Sequence, residues 1–199
     1  MSEIIITIGR QYGSGGKEIG EKLAKEFGIP FYDKELLTEA AKNSGISEEV
    51  FEMNDEKPAN SFLYSLVAGG YGSETTPINH KLFLAQFEAI KGIAQKGSCV
   101  ILGRCADYAL EENPNTVNVF IHSDMKSRIA RGIKYYELDA NKAENIIAKT
   151  DKKRSSYYYY YTGKRWGQSD SYDLSVNSGK IGIDNSVKLI KHFVEMRLK

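Results

Sequence analysis

A short β-branched strand that runs into a glycine-rich turn and then into a helix constrains this chain most. The run from Ile4 to Ile8 is typical of a strand buried on both faces of a parallel sheet. The sequence GRQYGSGGKEIG follows it, and helical periodicity begins at Lys17 and ends at Gly28. Inward-facing amides of such a turn, followed by a helix N-terminus, favour the binding of phosphate. The chain therefore predicts a phosphate site close to its start.

Short apolar runs alternate with helical periodicity along the rest of the chain. Further strands are predicted at Ile29–Tyr32, Cys99–Leu102, Val117–Ile121 and Tyr172–Ser175, and helices at Lys34–Lys42, Ser47–Phe51, Lys81–Gln95, Asp124–Tyr136, Asn141–Ser156 and Ile183–Arg197. This alternation predicts a three-layer α/β domain with a mainly parallel sheet. Since ligands bind beyond the carboxyl ends of such strands, we expect the strand-end residues Gly9, Asp33 and Arg104 to converge.

Composition excludes several functional classes. The 199 residues are 41 % hydrophobic and 27 % charged, with 27 Lys and Arg against 26 Asp and Glu. This balance argues against a strongly basic nucleic-acid binder. The longest uncharged stretch, Ser61 to Ser73, is too short to span a membrane, and the N-terminus does not resemble a signal peptide. We expect a cytoplasmic protein that binds neither nucleic acid nor membrane, with no metal site formed by side chains alone.

Two interpretations of the glycine-rich turn assign it a ligand. A phosphate-binding loop of the form G-x-x-x-x-G-K-[ST] matches Gly16 and Lys17, with Gln11 in place of its first glycine and Glu18 in place of its hydroxyl residue. The residues that would hold the phosphates are then Gly13, Ser14, Gly15, Gly16, Lys17 and Glu18. A dinucleotide fingerprint, G-x-G-x-x-G, begins at Gly13 but meets Glu18 at its third glycine. A structural turn without a ligand is the remaining reading.

Several charged residues have both a functional and a structural interpretation. Arg104 either binds phosphate or pairs with a carboxylate such as Asp107, and Asp33 either contacts substrate or caps the following helix. The segment Asp151 to Arg154 is either a solvated basic face or a lid that closes over phosphate. Arg128 and Arg131 share one face of a helix, and a role facing the nucleotide is no more favoured than a structural one.

Two segments lack a regular pattern. Asn54 to His80 contains Gly and Ser clusters and is predicted to be a mobile insertion. Tyr157 to Tyr161, with Trp166 nearby, either stacks nucleobases or, more commonly for such a run, forms an interface or a lid hinge that packs on the core. An interface would make a homodimer possible.

The chain resembles the cytidylate kinase-like family, a branch of the P-loop nucleoside monophosphate kinases. The resemblance covers almost the whole chain and is carried by ITIGRQYGSGGKEIGEKLAKEFGIPFYDKELL, VILGRCADYAL, VFIHSDMKSRIAR and TDKKRSSYYYYYT. It implies one domain over residues 1–199 with a three-layer P-loop kinase fold. It also implies a nucleoside monophosphate-binding insertion at about residues 34–96 and a lid at about residues 137–167.

The resemblance also implies ligands and roles. ATP and Mg²⁺ are the expected cofactors, and the expected partners are small-molecule nucleotides. Lys17 and the loop would hold the ATP phosphates, while Asp33 and Asp151 would lie at the substrates. Arg104 would orient the acceptor, and Arg154, with Arg128 or Arg131, would neutralise charge on the transferred phosphoryl group. CMP, dCMP or a similar monophosphate is the expected acceptor.

Two other functions remain open at the level of sequence. A non-catalytic nucleotide-binding module is favoured by the absence of a hydroxyl residue at position 18. A nicotinamide-dependent oxidoreductase follows from the dinucleotide interpretation and predicts no requirement for Mg²⁺.

Overall fold

A parallel sheet forms the centre of the molecule. The computed structural model describes residues 3–56 and 78–197. Within them the strands lie in the order β2-β3-β1-β4-β5, and every neighbouring pair is parallel. The strands are β1 (Ile5–Arg10), β2 (Phe31–Tyr32), β3 (Cys99–Leu102), β4 (Thr116–His122) and β5 (Leu174–Asn177).

Helices cover both faces of the sheet. They are α1 (Gly16–Phe27), α2 (Glu35–Ser44), α3 (Glu48–Asn54), α4 (Ile78–Ala94), α5 (Ala106–Ala109), α6 (Met125–Tyr136), α7 (Ala143–Thr162), α8 (Ser178–Ile181) and α9 (Ile183–Arg197). One face of β1, through Ile6 and Ile8, packs against α1 and α9. The other face, through Ile5, packs against α4 and α5. The predicted three-layer α/β fold is confirmed.

The strand order decides between the two ligand-binding interpretations of the glycine-rich turn. In the dinucleotide-binding fold, β2 lies next to β1. Here β3 lies between them, with Ile8 of β1 opposite Leu102 of β3 and Phe31 of β2 opposite Val100 of β3. The dinucleotide interpretation is therefore wrong.

The carboxyl ends of β1, β2 and β3 meet at one edge of the sheet. There the Nη1 atom of Arg104 donates to the backbone oxygen of Asp33 at 2.6 Å. Gly9 and Arg104 line the same small cavity. The predicted convergence of strand-end residues is confirmed, and it places a polar crevice beside the glycine-rich turn.

Several element boundaries differ from the sequence prediction. Strand β1 continues through Gly9 to Arg10, because Gly9 and Arg10 remain paired with Phe120 and Ile121 of β4. Strand β2 has only two residues, and β5 begins two residues later than expected. Helix α7 extends through the tyrosine run to Thr162, because Tyr157 and Tyr158 are buried in an apolar cluster.

Helices α2, α3 and α4 share an apolar cluster of their own. Its buried members are Leu37, Ala40, Phe51, Leu82 and Ala89. Most of the segment predicted to be mobile, residues 57–77, lies outside the described residues. The two ends of the segment are described: Asn54 is the last residue of α3, and Ile78 is the first residue of α4.

Within residues 3–56 and 78–197, the helices are all too short or too polar to cross a bilayer.

Candidate functional site

The glycine-rich loop joins β1 to α1 in a conformation that requires glycine. Gly13 and Gly15 have φ angles of 77° and 80°, in the left-handed region. A Cβ on Gly13 would also lie 2.8 Å from the backbone oxygen of Arg128. Gly15 caps α1 without a side-chain hydrogen bond, so the first amides of the helix remain available to an anion.

Lys17 extends from the first turn of α1 towards the end of β2. Its Nζ atom lies 2.9 Å from Oδ2 of Asp33, and its side chain is 50 % exposed. The hydrogen bond to Asp33 raises the pKa of Lys17. Burial alone would raise the pKa of Asp33, but the hydrogen bond from Lys17 and the charge of Arg104 outweigh it, so this pKa is lowered. Asp33 therefore contacts cations of the crevice, and α2 has no side-chain hydrogen bond at its N-cap.

Arg104 lies on a left-handed turn at the end of β3. Gly103, Arg104 and Cys105 all have positive φ angles, which is unfavourable for residues with a Cβ atom. The Arg104 side chain is only 2 % exposed and binds Asp55 through two bonds, Nε to Oδ1 at 3.0 Å and Nη2 to Oδ2 at 2.9 Å. Burial alone would lower its pKa, but Asp55 and Glu56 raise it.

The suggested alternative partner of Arg104, Asp107, lies in a different network. Asp107 accepts a hydrogen bond from the hydroxyl of Tyr158 at 2.6 Å. Burial raises the pKa of Asp107. An Arg104–Asp107 pair is therefore excluded, although the expectation that Arg104 pairs with a carboxylate is correct.

A cluster of Arg10, Glu56 and Arg154 lies beside Arg104. Glu56 accepts hydrogen bonds from Nη1 of Arg10 at 2.7 Å and from Nε of Arg154 at 2.8 Å. Burial alone would raise the pKa of Glu56, but the two arginines lower it far below its ordinary value. Burial and the charge of Arg154 lower the pKa of Arg10. Arg154 thus lines the crevice.

Asp151 holds the glycine-rich loop. Its Oδ1 atom accepts from the amide of Tyr12 at 2.7 Å, and its Oδ2 atom pairs with Arg128. Arg128 in turn donates to the backbone oxygen of Tyr12. Both side chains are almost buried. The sequence predicts Asp151 at the substrate and Arg128 at the transferred phosphoryl group; in the structure the two residues also connect the loop to α6 and α7.

Arg131 holds the other end of the loop. It pairs with Glu18, which also lies 3.4 Å from Nζ of Lys22. Nε of Arg131 and Nε of Arg128 are buried without a hydrogen-bond partner among the described residues. In the structure both arginines are paired with carboxylates of the protein, Arg128 with Asp151 and Arg131 with Glu18.

An aromatic pair stands at the mouth of the crevice. The rings of Tyr12 and Tyr136 lie 5.4 Å apart, and the guanidinium of Arg154 lies 5.9 Å from the Tyr12 ring. The crevice has a volume of about 230 Å³ and is lined by the loop, Lys17, Asp33, Asp55, Glu56, Arg10, Arg104, Arg154 and Tyr136. It combines anion-binding groups with flat apolar surface.

The residues of the loop fit the phosphates of ATP. Free helix amides, two left-handed glycines and the half-exposed ammonium of Lys17 form a donor set suited to anions. Among the described residues no group of three or more His, Cys, Asp or Glu side chains could hold a metal ion. Glu18 is the carboxylate next to Lys17, and it is held by Arg131. Mg²⁺ would therefore depend on the nucleotide phosphates and water, with Glu18 as the adjacent carboxylate.

Comparison with known proteins decides the family. The sequence matches the cytidylate kinase-like family over residues 5–180. The chain belongs to this family. The predicted resemblance is thereby confirmed, although a search of functionally curated proteins returned no match.

Solved structures agree with this membership at the level of the fold. A protein of uncharacterised function from Eubacterium ventriosum ATCC 27560 is 30 % identical, with a TM-score of 0.74 over 97 % of this chain and 99 % of that one. Shikimate kinase from Bacteroides thetaiotaomicron is 15 % identical, with a TM-score of 0.57 over 98 % and 99 % of the two chains. Shikimate kinase from Acinetobacter baumannii is 11 % identical, with a TM-score of 0.52 over 100 % and 97 %. Family and fold together support a kinase of a nucleotide or another small molecule.

Sequence reasoning missed part of the site of this family member. Arg10, Asp55 and Glu56 were not singled out, nor was the aromatic pair Tyr12 and Tyr136. One signal was available: β1 and β3 both end in Gly-Arg, at Gly9-Arg10 and Gly103-Arg104. The two acidic residues carry no comparable signal, because their partners lie 46 to 98 residues away along the chain.

Proposed function

We propose that this protein is an ATP-dependent kinase that transfers the γ-phosphoryl group to a nucleoside monophosphate, with CMP, dCMP or a similar monophosphate as acceptor. One observation carries the proposal. The glycine-rich loop with Lys17 and the buried arginines Arg104 and Arg154 line the same crevice, at the carboxyl ends of the strands. A donor site and an acceptor site are thus adjacent, as phosphoryl transfer requires.

The proposed mechanism relies on positioning and charge. Lys17 and the amides at the start of α1 hold the donor phosphates. Arg104, fixed by its left-handed turn, orients the acceptor, and Arg154 stabilises charge that develops on the transferred group. Arg128 and Arg131 act indirectly, because their contacts keep the loop in shape. Mg²⁺ bound with ATP supplies further neutralisation at the donor phosphates.

The lid assignment for residues 137–167 remains part of this proposal. Arg154 reaches the crevice from α7, and Lys153 donates to the backbone oxygen of Asp55 at 2.6 Å. Two cations of this segment have carboxylate partners in the structure: Arg154 pairs with Glu56 and Lys164 with Glu111. Closure over two nucleotides would exclude water from the transfer.

A non-catalytic nucleotide-binding module is the second candidate. One observation favours it: charged groups that a kinase would use for its substrates are paired with charged groups of the protein itself. Glu18 is paired with Arg131, Lys17 with Asp33, and Arg104 with Asp55. Such a protein would bind ATP and a monophosphate without transferring phosphate between them.

Acceptor-dependent release of ADP separates the two candidates. The assay offers ATP and Mg²⁺ with CMP, dCMP, UMP, AMP or, as a non-nucleotide contrast, shikimate. We expect turnover with a pyrimidine monophosphate, and loss of it in Lys17→Ala but not in Lys25→Ala, an exposed lysine of the same helix. Binding of ATP and CMP by calorimetry without turnover would favour the non-catalytic module. Turnover with shikimate alone would contradict the proposed acceptor class.

A further inference from the structure

Arg10 and Arg104 are brought together by neighbouring strands. Strands β1 and β3 pair directly, with Ile8 opposite Leu102, and each strand is followed or ended by Gly-Arg. The Arg10 guanidinium lies against Gly103, where a Cβ atom would overlap it. Gly103 is thus required both for its left-handed conformation and for the approach of Arg10. The fold places two guanidinium groups at the same point of the crevice.

Arg154 adds a third guanidinium from α7. Its Nη1 atom donates to the backbone oxygen of Arg10 at 3.3 Å, and the Arg154 side chain is largely buried. The mutual repulsion of Arg10, Arg104 and Arg154 contributes, after burial, to the lowered pKa of Arg10. Three buried cations at one place are costly unless anions neutralise them. The group therefore forms a site that demands negative charge.

The anions present are two consecutive carboxylates at the end of α3. Asp55 binds Arg104 through a two-bond fork, which is also the geometry in which arginine binds phosphate oxygens. Glu56 bridges Arg10 and Arg154. Its own backbone is left-handed, with φ at 52°, which is unfavourable for a residue with a Cβ atom. Glu56 therefore pairs with Arg10 and Arg154 from a locally unfavourable backbone conformation.

The crevice that these carboxylates line offers limited room for a nucleotide. Its volume of about 230 Å³ is below the roughly 300–1,000 Å³ usual for pockets that enclose a small ligand. Asp55 and Glu56 both line it. Their departure would vacate the arginines and enlarge the space at the same time.

We infer that Arg10, Arg104 and Arg154 form one anion site for the phosphate of the acceptor, and that Asp55 and Glu56 are internal occupants which this phosphate displaces. The inference rests on the proposed function for the identity of the acceptor. It adds Arg10 to the binding residues and makes acceptor binding a competition between a phosphomonoester and the protein's own carboxylates. Removing one carboxylate charge should then tighten anion binding.

The experiment measures binding of CMP and of inorganic phosphate without ATP, by titration calorimetry. Glu56→Gln is compared with the wild type and with Glu52→Gln, an exposed acid of the preceding helix α3. We expect about tenfold or stronger tightening in Glu56→Gln, since a charged competitor becomes neutral, and no change in Glu52→Gln. Adding Arg10→Ala to Glu56→Gln should abolish the gain. Equal or weaker binding in Glu56→Gln would overturn the inference and make Glu56 a positioning partner of the arginines.

A second variant covers the case in which Glu56→Gln does not fold. Asp55 is 29 % exposed, so Asp55→Asn is a milder change. It removes the negative charge that pairs with the Arg104 guanidinium, and we again expect tighter binding of CMP and of phosphate. The added phosphate should also raise the melting temperature of this variant more than that of the wild type; an equal rise would count against the displacement. Tight phosphate binding without turnover would support the anion site while contradicting the kinase. Turnover with CMP together with unchanged phosphate binding in both variants would support the kinase and contradict the displacement.

Discussion

The contacts of Asp151 with Tyr12 and Arg128 favour a role in bracing the glycine-rich loop, and Asp151→Asn tests that role. The substitution keeps the shape of the side chain and removes its charge. One amide oxygen can still accept from the backbone of Tyr12, but Arg128, whose side chain is 8 % exposed, loses its counter-ion. A hydrogen bond to a charged group contributes about 1.5–3 kcal/mol, and an unpaired buried charge adds to the loss.

We therefore expect Asp151→Asn to lower the free energy of unfolding by about 2–3 kcal/mol. For a chain of this length, that corresponds to a fall in melting temperature of about 4–12 °C. The glycine-rich loop loses its brace, so the KM for ATP should rise, whereas the KM for the monophosphate should change little.

Calorimetric melting and steady-state kinetics with both substrates check this prediction. The matched control is Asp184→Asn, because Asp184 also pairs with a cation, Lys22 at 2.6 Å, but its side chain is 78 % exposed. Exposed pairs contribute little to stability, and this control should behave like the wild type. A rise in the KM for the monophosphate with unchanged stability would refute the bracing role and return Asp151 to the substrate site.

Three further predictions follow from the crevice and its surroundings. Arg104→Ala should raise the KM for the monophosphate more than that for ATP, and Arg104→Lys should rescue only partly because the planar fork is lost; equal effects in steady-state kinetics would indicate a purely structural pair. The pKa of Glu56 is lowered, so its contribution to stability is present above pH 4.5 and lost as the pH falls below it; chemical unfolding of Glu56→Gln should show a flatter acid limb. The pKa of Asp107 is raised by burial, and the hydrogen bond from Tyr158 stabilises its charged form. Tyr158→Phe should therefore lower the free energy of unfolding more at pH 7, where Asp107 is charged, than at pH 4. Equal losses at the two pH values would exclude a charged Asp107.

Sequence patterns predict the bounds of an element correctly where one kind of interaction determines it. Strand β3 and helix α9 have the predicted bounds, since an uninterrupted apolar run and a regular helical period leave few alternatives. The predicted end of β1 is too early, because glycine usually interrupts a strand. Phe120 and Tyr172 pack where its side chain would be, so in this context glycine continues the strand.

The location of the site could be predicted from the sequence, but most of the ion pairs and hydrogen bonds within it could not. Parallel strands bring Asp33 and Arg104 to one edge, and this follows from topology alone. That Asp151 binds Tyr12 and Arg128 depends on how α6 and α7 pack, because the partners are separated by 139 and 23 positions in the sequence. The tyrosine run was ambiguous for the same reason: Tyr157 and Tyr158 are buried, while Tyr159 and Tyr160 are exposed.

Transfer of a labelled γ-phosphoryl group is the most direct test of the proposed kinase. The protein is incubated with Mg²⁺, ATP labelled at the γ-phosphate, and CMP or dCMP, and the nucleotides are then separated. We expect the label to appear in the corresponding diphosphate with the wild type and Lys25→Ala, and to be lost with Lys17→Ala. Label that stays in ATP or appears only as inorganic phosphate, across all monophosphates offered, would contradict the kinase assignment.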